Sequence, residues 1–163
     1  MNVEIIPFKT EYATTFKDLN VAWLKKYFVV EPHDEEVLSN CKENIIDKGG
    51  YIYFAKVKDT IIGCFALIKI EDGVFELSKM AVSPIFQGKK IGQKLLQFSI
   101  DFAKRKGFKK VLLYSNRKLE NAIYLYRKYG FKEVEMEQNT PYVRADIKMV
   151  IDLSSPSPSK GGE

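Results

Sequence analysis

A chain of 163 residues is long enough for one ordinary domain plus a short tail. Hydrophobic residues at 45% and aromatics at 13% supply a core and exclude wholesale disorder, while no apolar run approaches a membrane span. Lys and Arg outnumber Asp and Glu by 26 to 21, and two cysteines with a single histidine exclude a disulfide framework, a metal constellation and most imidazole chemistry. The net charge of +5 is spread along the chain, with small clusters at Lys104-Arg105-Lys106 and Lys109-Lys110. It reads as solvated surface, so nucleic acid is not expected as a partner. The N-terminal Met1-Asn2-Val3-Glu4-Ile5-Ile6-Pro7 lacks the basic region and apolar stretch of a secretory signal. No membrane partner and no metal are expected, and the location expected is cytoplasmic.

In chain order, residues 3–6 read as a strand stopped by Pro7. Tyr12, Phe16, Leu19, Trp23, Leu24 and Tyr27 recur at helical spacing and predict an amphipathic helix over 10–28. The Glu31–Asp34 stretch interrupts it, with Asp34 placed to cap a second helix over 35–47 that Gly49-Gly50 ends. Residues 51–57 and 61–70 form a predicted hairpin, and 74–82 a further strand ending at Ser83-Pro84. A helix over 90–106 carries Ile91, Leu95, Phe98 and Phe102 on one face and closes at Gly107. A strand at 109–115, a helix at 119–129 and strands at 131–137 and 143–152 complete the set. The last ten residues, from Ser154, hold four Ser, two Pro, two Gly and nothing apolar. They are expected to be a disordered tail behind a single domain of residues 1–153. The class is α/β (α+β mixed): a mixed sheet with helices on its faces.

The segment richest in chemistry runs from Met80 to Gly92. A strand enters a loop with two glycines and two lysines, and the loop opens an apolar-faced helix. Unpaired backbone N–H groups and the positive end of the helix dipole make such a junction suitable for a phosphate. It is neither a Walker loop nor the dinucleotide fingerprint.

The loop Gln87-Gly88-Lys89-Lys90-Ile91-Gly92 is similar to the acetyl-coenzyme A loop Gln/Arg-x-x-Gly-x-Gly/Ala of the GCN5-related N-acetyltransferase (GNAT) superfamily. About 35 residues on, Ala122-Ile123-Tyr124-Leu125-Tyr126 followed by Gly130-Phe131 resembles that family's second signature. The resemblance spans nearly all of residues 3–152. It implies a GNAT fold, a largely antiparallel twisted sheet of about seven strands flanked by about four helices. It also implies direct acetyl transfer from acetyl-CoA to a primary amine of a small molecule, with no metal, and homodimers are frequent among such proteins. Two departures stand out: Lys90 where the family usually has Gly, and Leu119 where many members carry Asn, for which Asn116 or Asn121 could substitute.

The chemistry sets requirements of its own. An alkylammonium of pKa about 10.4 is neutral in only about one molecule in 2,500 at pH 7, so the site must take a proton. Glu76 is the candidate general base, with a structural carboxylate as the alternative. Alternation would put Glu76, Ser78, Met80 and Val82 on one strand face. By the resemblance, Tyr126 protonates or stabilises the departing thiolate; the alternative is a core aromatic. The same resemblance gives the backbone of Met80, Ala81 and Val82 the pantetheine arm, and Gln87 to Gly92 the pyrophosphate. Glu31, Asp34, Tyr142 and Arg144 are the candidate acceptor-binding residues. An amino acid or similar amphoteric molecule would satisfy both charge signs; alternatively, Arg144 bridges to Glu31 or Asp34 and holds the loops together. Cys41 and Cys64 are expected to be inert. The rival readings are a non-catalytic CoA-binding regulatory domain and an acetyltransferase acting on a peptide or aminoacyl-tRNA amine.

Overall fold

The computed structural model describes residues 1–140 and 142–154. The tail expected beyond Ser154 lies outside them. Seven strands form one sheet: β1 (Glu4–Pro7), β2 (Tyr51–Val57), β3 (Thr60–Glu71), β4 (Val74–Val82), β5 (Lys110–Ser115), β6 (Lys132–Val134) and β7 (Ile147–Asp152). Their spatial order is β1-β2-β3-β4-β5-β7-β6, and every pair is antiparallel except β4–β5. Four α-helices flank it among the described residues: α1 (Ala13–Tyr27), α2 (Pro32–Ser39), α3 (Ile91–Lys106) and α4 (Glu120–Lys128). The mixed α/β class and the seven strands are those expected. Among the described residues no helix is long and apolar enough to cross a membrane.

Each sheet face has its own core. On one, Ile91, Leu95, Leu96, Ile100, Phe102 and Ala103 of α3 pack on Phe65, Leu67, Phe75, Leu77, Val111 and Met149, with α4 at the margin. On the other, Phe16 and Leu24 of α1 and Val37 and Leu38 of α2 pack on Ile52, Phe54, Cys64 and Ala66. The central strands are therefore buried on both faces, which is why β3 reads as a near-continuous apolar run.

Local chemistry moves several predicted boundaries. The second helix starts at Pro32, not after Asp34. Proline suits the first helical turn, and Asp34 sits at the third position, where its carboxylate accepts from the Glu31 amide at 3.0 Å. The helix stops at Asn40 and resumes as a wider turn over Lys42–Ile46. That turn feeds Gly50, whose absent side chain is needed. A Cβ there would stand 2.6 Å from the Leu67 carbonyl oxygen and 2.8 Å from that of Ile45. Gly50→Ala is thus expected to destabilise by about 1–3 kcal/mol through backbone displacement, read as a lowered melting temperature.

The last two strands are shorter than predicted, beginning and ending at 132–134 and 147–152. Residues 142–145 leave the sheet because the Val143 and Arg144 amides donate to the Glu31 carboxylate, at 3.0 and 3.3 Å, rather than to a neighbouring strand.

Candidate active site

Two features of β4 create the site. It pairs with β5 only through Val74, Phe75 and Glu76, opposite Lys110, Val111 and Leu112. Beyond that point the two strands part. Further along, two residues of β4, Lys79 and Met80, oppose the single Phe65 of β3, since Ala66 faces Ser78 and Cys64 faces Ala81. This bulge puts Lys79 in the left-handed region at φ 56°. It also overturns the alternation expected from sequence. Glu76 and Ser78 point to the α2 side, whereas Met80 and Val82 pack on the α3 side with Phe75 and Leu77. The bulge is pinned from below: the Cys64 thiol donates to the Lys79 carbonyl at 3.5 Å, and Asn20 Nδ2 donates to Cys64 Sγ at 3.4 Å. Burial pushes the Cys64 thiol up to about 12, so it is a packing group and not a nucleophile.

A cavity of about 920 Å3 fills the opening between the strands. Of the residues singled out in the sequence, Met80, Ala81, Val82, Gln87, Gly88, Lys90, Ile91, Gly92, Asn116, Asn121, Tyr126, Tyr142 and Arg144 line it. Lys89 instead borders a separate outer groove with Lys94 and Gln97. Glu31, Asp34 and Glu76 stand behind the wall, reached through Arg144 and Tyr142.

At one end of the cavity, Gly88 (φ 80°) and Lys90 (φ 63°) both adopt left-handed backbone, turning the chain into α3. For Lys90 this conformation costs on the order of 1 kcal/mol that glycine would not incur. The first-turn amides of α3, Ile91, Gly92 and Gln93, have no intrahelical acceptor. The cradle is therefore open to an anion, and Lys90 adds a cation to it. These residues fit a pyrophosphate.

Tyr126 lines the cavity, its ring against Phe131 at 5.9 Å. Burial, with no hydrogen bond contributing, pushes its hydroxyl up to about 12. Asn116 is occupied: its amide donates to the Arg144 carbonyl at 2.8 Å and its oxygen accepts from the Lys118 amide at 2.9 Å. Asn121 lies on the wall in the first turn of α4.

At the far end is a buried charge cluster. Asp34, fully buried, accepts from Arg144 Nη1 at 2.7 Å and Nη2 at 3.0 Å, and from Lys79 Nζ at 2.9 Å. Arg144 also reaches Glu31 at 3.3 Å. Burial alone would raise the Asp34 carboxyl, but hydrogen bonds from Arg144 and the charge of Lys79 outweigh it and hold it well below the usual carboxylate range. The ion-pair alternative for Arg144 is thus the arrangement present. Glu76, 5% exposed, accepts from Tyr142 Oη at 3.1 Å, and burial raises its carboxyl above the ordinary value.

Lys79 is the residue that sequence reading passes over. A lysine inside the buried run Phe75-Glu76-Leu77-Ser78-Lys79-Met80-Ala81 requires a buried counter-charge, and that is the signal that could have found it. The aromatic wall of Trp23, Tyr27 and Phe28, with Lys118 Nζ 4.0 Å above the Phe28 ring, is a second omission, hidden because those rings also fit a helical apolar stripe.

Residues 16–131 match the acetyltransferase (GNAT) family. The Uncharacterized N-acetyltransferase YjgM of Escherichia coli (strain K12) is 25% identical over 134 residues, covering 79% of this chain and 77% of that protein. The Probable N-acetyltransferase 14 of Xenopus tropicalis is 38% identical over 76 residues, 46% of this chain, and the chain spans only 37% of that relative's length. Among solved structures, a GNAT-family acetyltransferase from Staphylococcus aureus MU50 superposes with a TM-score of 0.82 at 23% identity, covering 93% of this chain and 99% of that one. A GNAT-family acetyltransferase from Elizabethkingia anophelis with acetyl-CoA bound gives a TM-score of 0.69 at 25% identity, covering 93% and 99%. On the matched domain, the fold and these relatives, the chain belongs to the GNAT family of N-acetyltransferases.

Proposed function

We propose that this protein transfers the acetyl group of acetyl-CoA directly to the primary amine of a small molecule of about amino-acid size. One observation carries the reading: a single cavity is lined by the open start of α3, by Tyr126 and by Tyr142, whose hydroxyl is bonded to the buried Glu76. The acetyl-CoA bound in the Elizabethkingia relative supports the choice of co-substrate. Bound acetyl-CoA supplies an activated acetyl thioester. The amides of Gly88 to Gly92 hold its pyrophosphate, and the Met80–Val82 backbone lines the pantetheine channel. Tyr126 donates a hydrogen bond to the departing sulfur, and Glu76 receives the acceptor's proton.

A small acceptor is favoured because Arg144 ties the 142–145 loop to α2 through Asp34 and Glu31, which narrows that side of the cavity among the described residues. Within about 300–1,000 Å3, the ordinary range of ligand sites, most of the volume goes to the cofactor arm.

The test is a panel of amino acids, simple amines, polyamines and peptides incubated with acetyl-CoA, with free thiol as readout. Turnover on a small amine is expected. Calorimetric binding of acetyl-CoA with no transfer to any amine would establish instead a CoA-binding regulatory domain. Turnover confined to peptides or aminoacyl-tRNA would remove the small-molecule assignment.

A further inference from the structure

We infer that Tyr142 carries the acceptor's proton to Glu76, so that the glutamate acts as the base without touching the substrate. This rests on the N-acetyltransferase reading above and adds a residue to it. Glu76 is buried in β4 between Ile68 of β3 and Leu112 of β5, and it is not part of the cavity wall. Tyr142 is part of that wall, and its Oη lies 3.1 Å from Glu76 Oε2.

The direction of the hydroxyl proton follows from the donor inventory. Tyr142 Oη has three polar neighbours: Glu76 Oε2, Lys79 Nζ at 3.4 Å and Ser78 Oγ at 3.3 Å. An ammonium only donates and an ionised carboxylate only accepts. Lys79 therefore donates to Tyr142, and Tyr142 donates to Glu76. A lone pair on Oη remains for a proton arriving from the cavity side, once Ser78 turns its own hydroxyl elsewhere.

The step balances. An N–H bond of the acceptor ammonium breaks and its proton bonds to Oη. At the same time the Tyr142 O–H bond breaks, and that proton bonds to Glu76 Oε2. The amine is left neutral with a free electron pair, Tyr142 is unchanged, and Glu76 becomes a neutral acid. The two transfers must be concerted, because burial and the Glu76 charge hold the Tyr142 phenol far above its ordinary range and a free phenolate is inaccessible. Burial also raises Glu76, which strengthens it as a base.

Charged or titratable groups reach the pair from β4, α2, β5 and the 142–145 loop, whereas β3 presents Ile68. Lys79 comes from β4 and Asp34 from α2. His33, also on α2, has its ring 5.4 Å from that of Tyr142. Arg144 lies over the Tyr142 ring at 4.7 Å. On β5, Tyr114 is 6.2 Å away with its hydroxyl donated to Glu137. Lys79, Asp34 and Arg144 are locked in the ion-pair cluster, so His33, which packs on the Tyr142 ring outside that cluster, is the control position.

The test measures kcat/KM for the small amine between pH 6 and 10 in the full chain and in Tyr142→Phe, Glu76→Gln, the double variant and His33→Asn. Each single variant at the relay is expected to lose about 10²-fold at pH 7, the usual contribution of one positioned acid or base. The deficit should shrink as pH approaches the amine's own pKa of about 10.4, where solution supplies the free base. The double variant should be no worse than either single one, since the two residues act as a unit. His33→Asn should keep the parental profile, and Tyr142→Phe should keep the KM for acetyl-CoA. Parental rates in Tyr142→Phe beside a defective Glu76→Gln would overturn the relay and leave Glu76 acting through water. Additive losses, or a loss in Tyr142→Phe that is the same at every pH, would overturn it in favour of a packing role. A fully active Glu76→Gln would remove Glu76 as the base, and the relay with it.

Discussion

Asp34→Ala is expected to destabilise the protein by about 3–5 kcal/mol, the range seen when one partner of a buried ion pair is removed. Asp34 is fully buried, the Lys79 side chain is 3% exposed and that of Arg144 19%. Removing the carboxylate leaves Lys79 without its ion-pair partner and Arg144 with Glu31 alone. At roughly 2–4 °C per kcal/mol for a chain of this size, the melting temperature should fall by roughly 6–20 °C. A paired replacement, Asp34→Leu with Lys79→Met, should cost less than the single change, because it removes charge and counter-charge together.

The pH dependence has a definite sign. The folded-state pKa of Asp34 is depressed below its unfolded value of about 3.9, so its contribution is complete above that value and is lost as pH falls through the folded one. The gap in melting temperature between parent and Asp34→Ala should therefore be constant near neutrality and narrow only below about pH 4. A gap that stayed constant into strong acid would mean that Asp34 acts by shape rather than charge.

The contrast between this cluster and the anion cradle explains what the sequence discloses. Gln87 to Gly92 is legible because its features are local: the end of β4 at Val82, left-handed backbone at Gly88 and the start of α3 at Ile91 follow one another along the chain. The helices on either side are legible for the same reason, their apolar stripes recurring every turn. The Asp34 cluster joins residues 45 and 110 positions apart, and no local pattern encodes such a pairing. Asp34 itself looks like a helix cap, which is its other role, at the third position of α2. The bulge at Lys79 is equally hidden. The run Val74–Val82 alternates well enough to pass for a regular strand, and only its mismatch with β3 inserts the extra residue. That single residue rotates Met80 and Val82 away from Glu76, splitting one predicted face between the two sides of the sheet. The late strands were over-extended for a related reason: Tyr142-Val143-Arg144 has strand-forming residues, but its amides and side chains are claimed by Glu31, Asp34 and Glu76.

Tyr126→Phe is expected to lower kcat about 10²-fold, the lower end of what one preorganised donor contributes to a charge that develops during reaction. The phenol is pushed up to about 12 by burial alone, so it is protonated at neutral pH and has an O–H to donate. A thiolate whose conjugate acid has a pKa near 8.5 is too weak a base to take a proton outright from a phenol raised above its ordinary range. In the proposed reaction Tyr126 would therefore act as a hydrogen-bond donor, and the thiolate would take its proton afterwards from solvent. Two consequences distinguish this from general-acid catalysis. The variant's pH profile should keep the parental shape, because the group lost does not titrate in the working range. Its KM for acetyl-CoA should change little while kcat falls, since the missing interaction strengthens only as charge builds on sulfur. A profile that loses its alkaline limb in Tyr126→Phe would show that the phenol does titrate during turnover. Undiminished kcat would reduce Tyr126 to its packing against Phe131, and the developing charge would then fall to the open amides of the splayed strand.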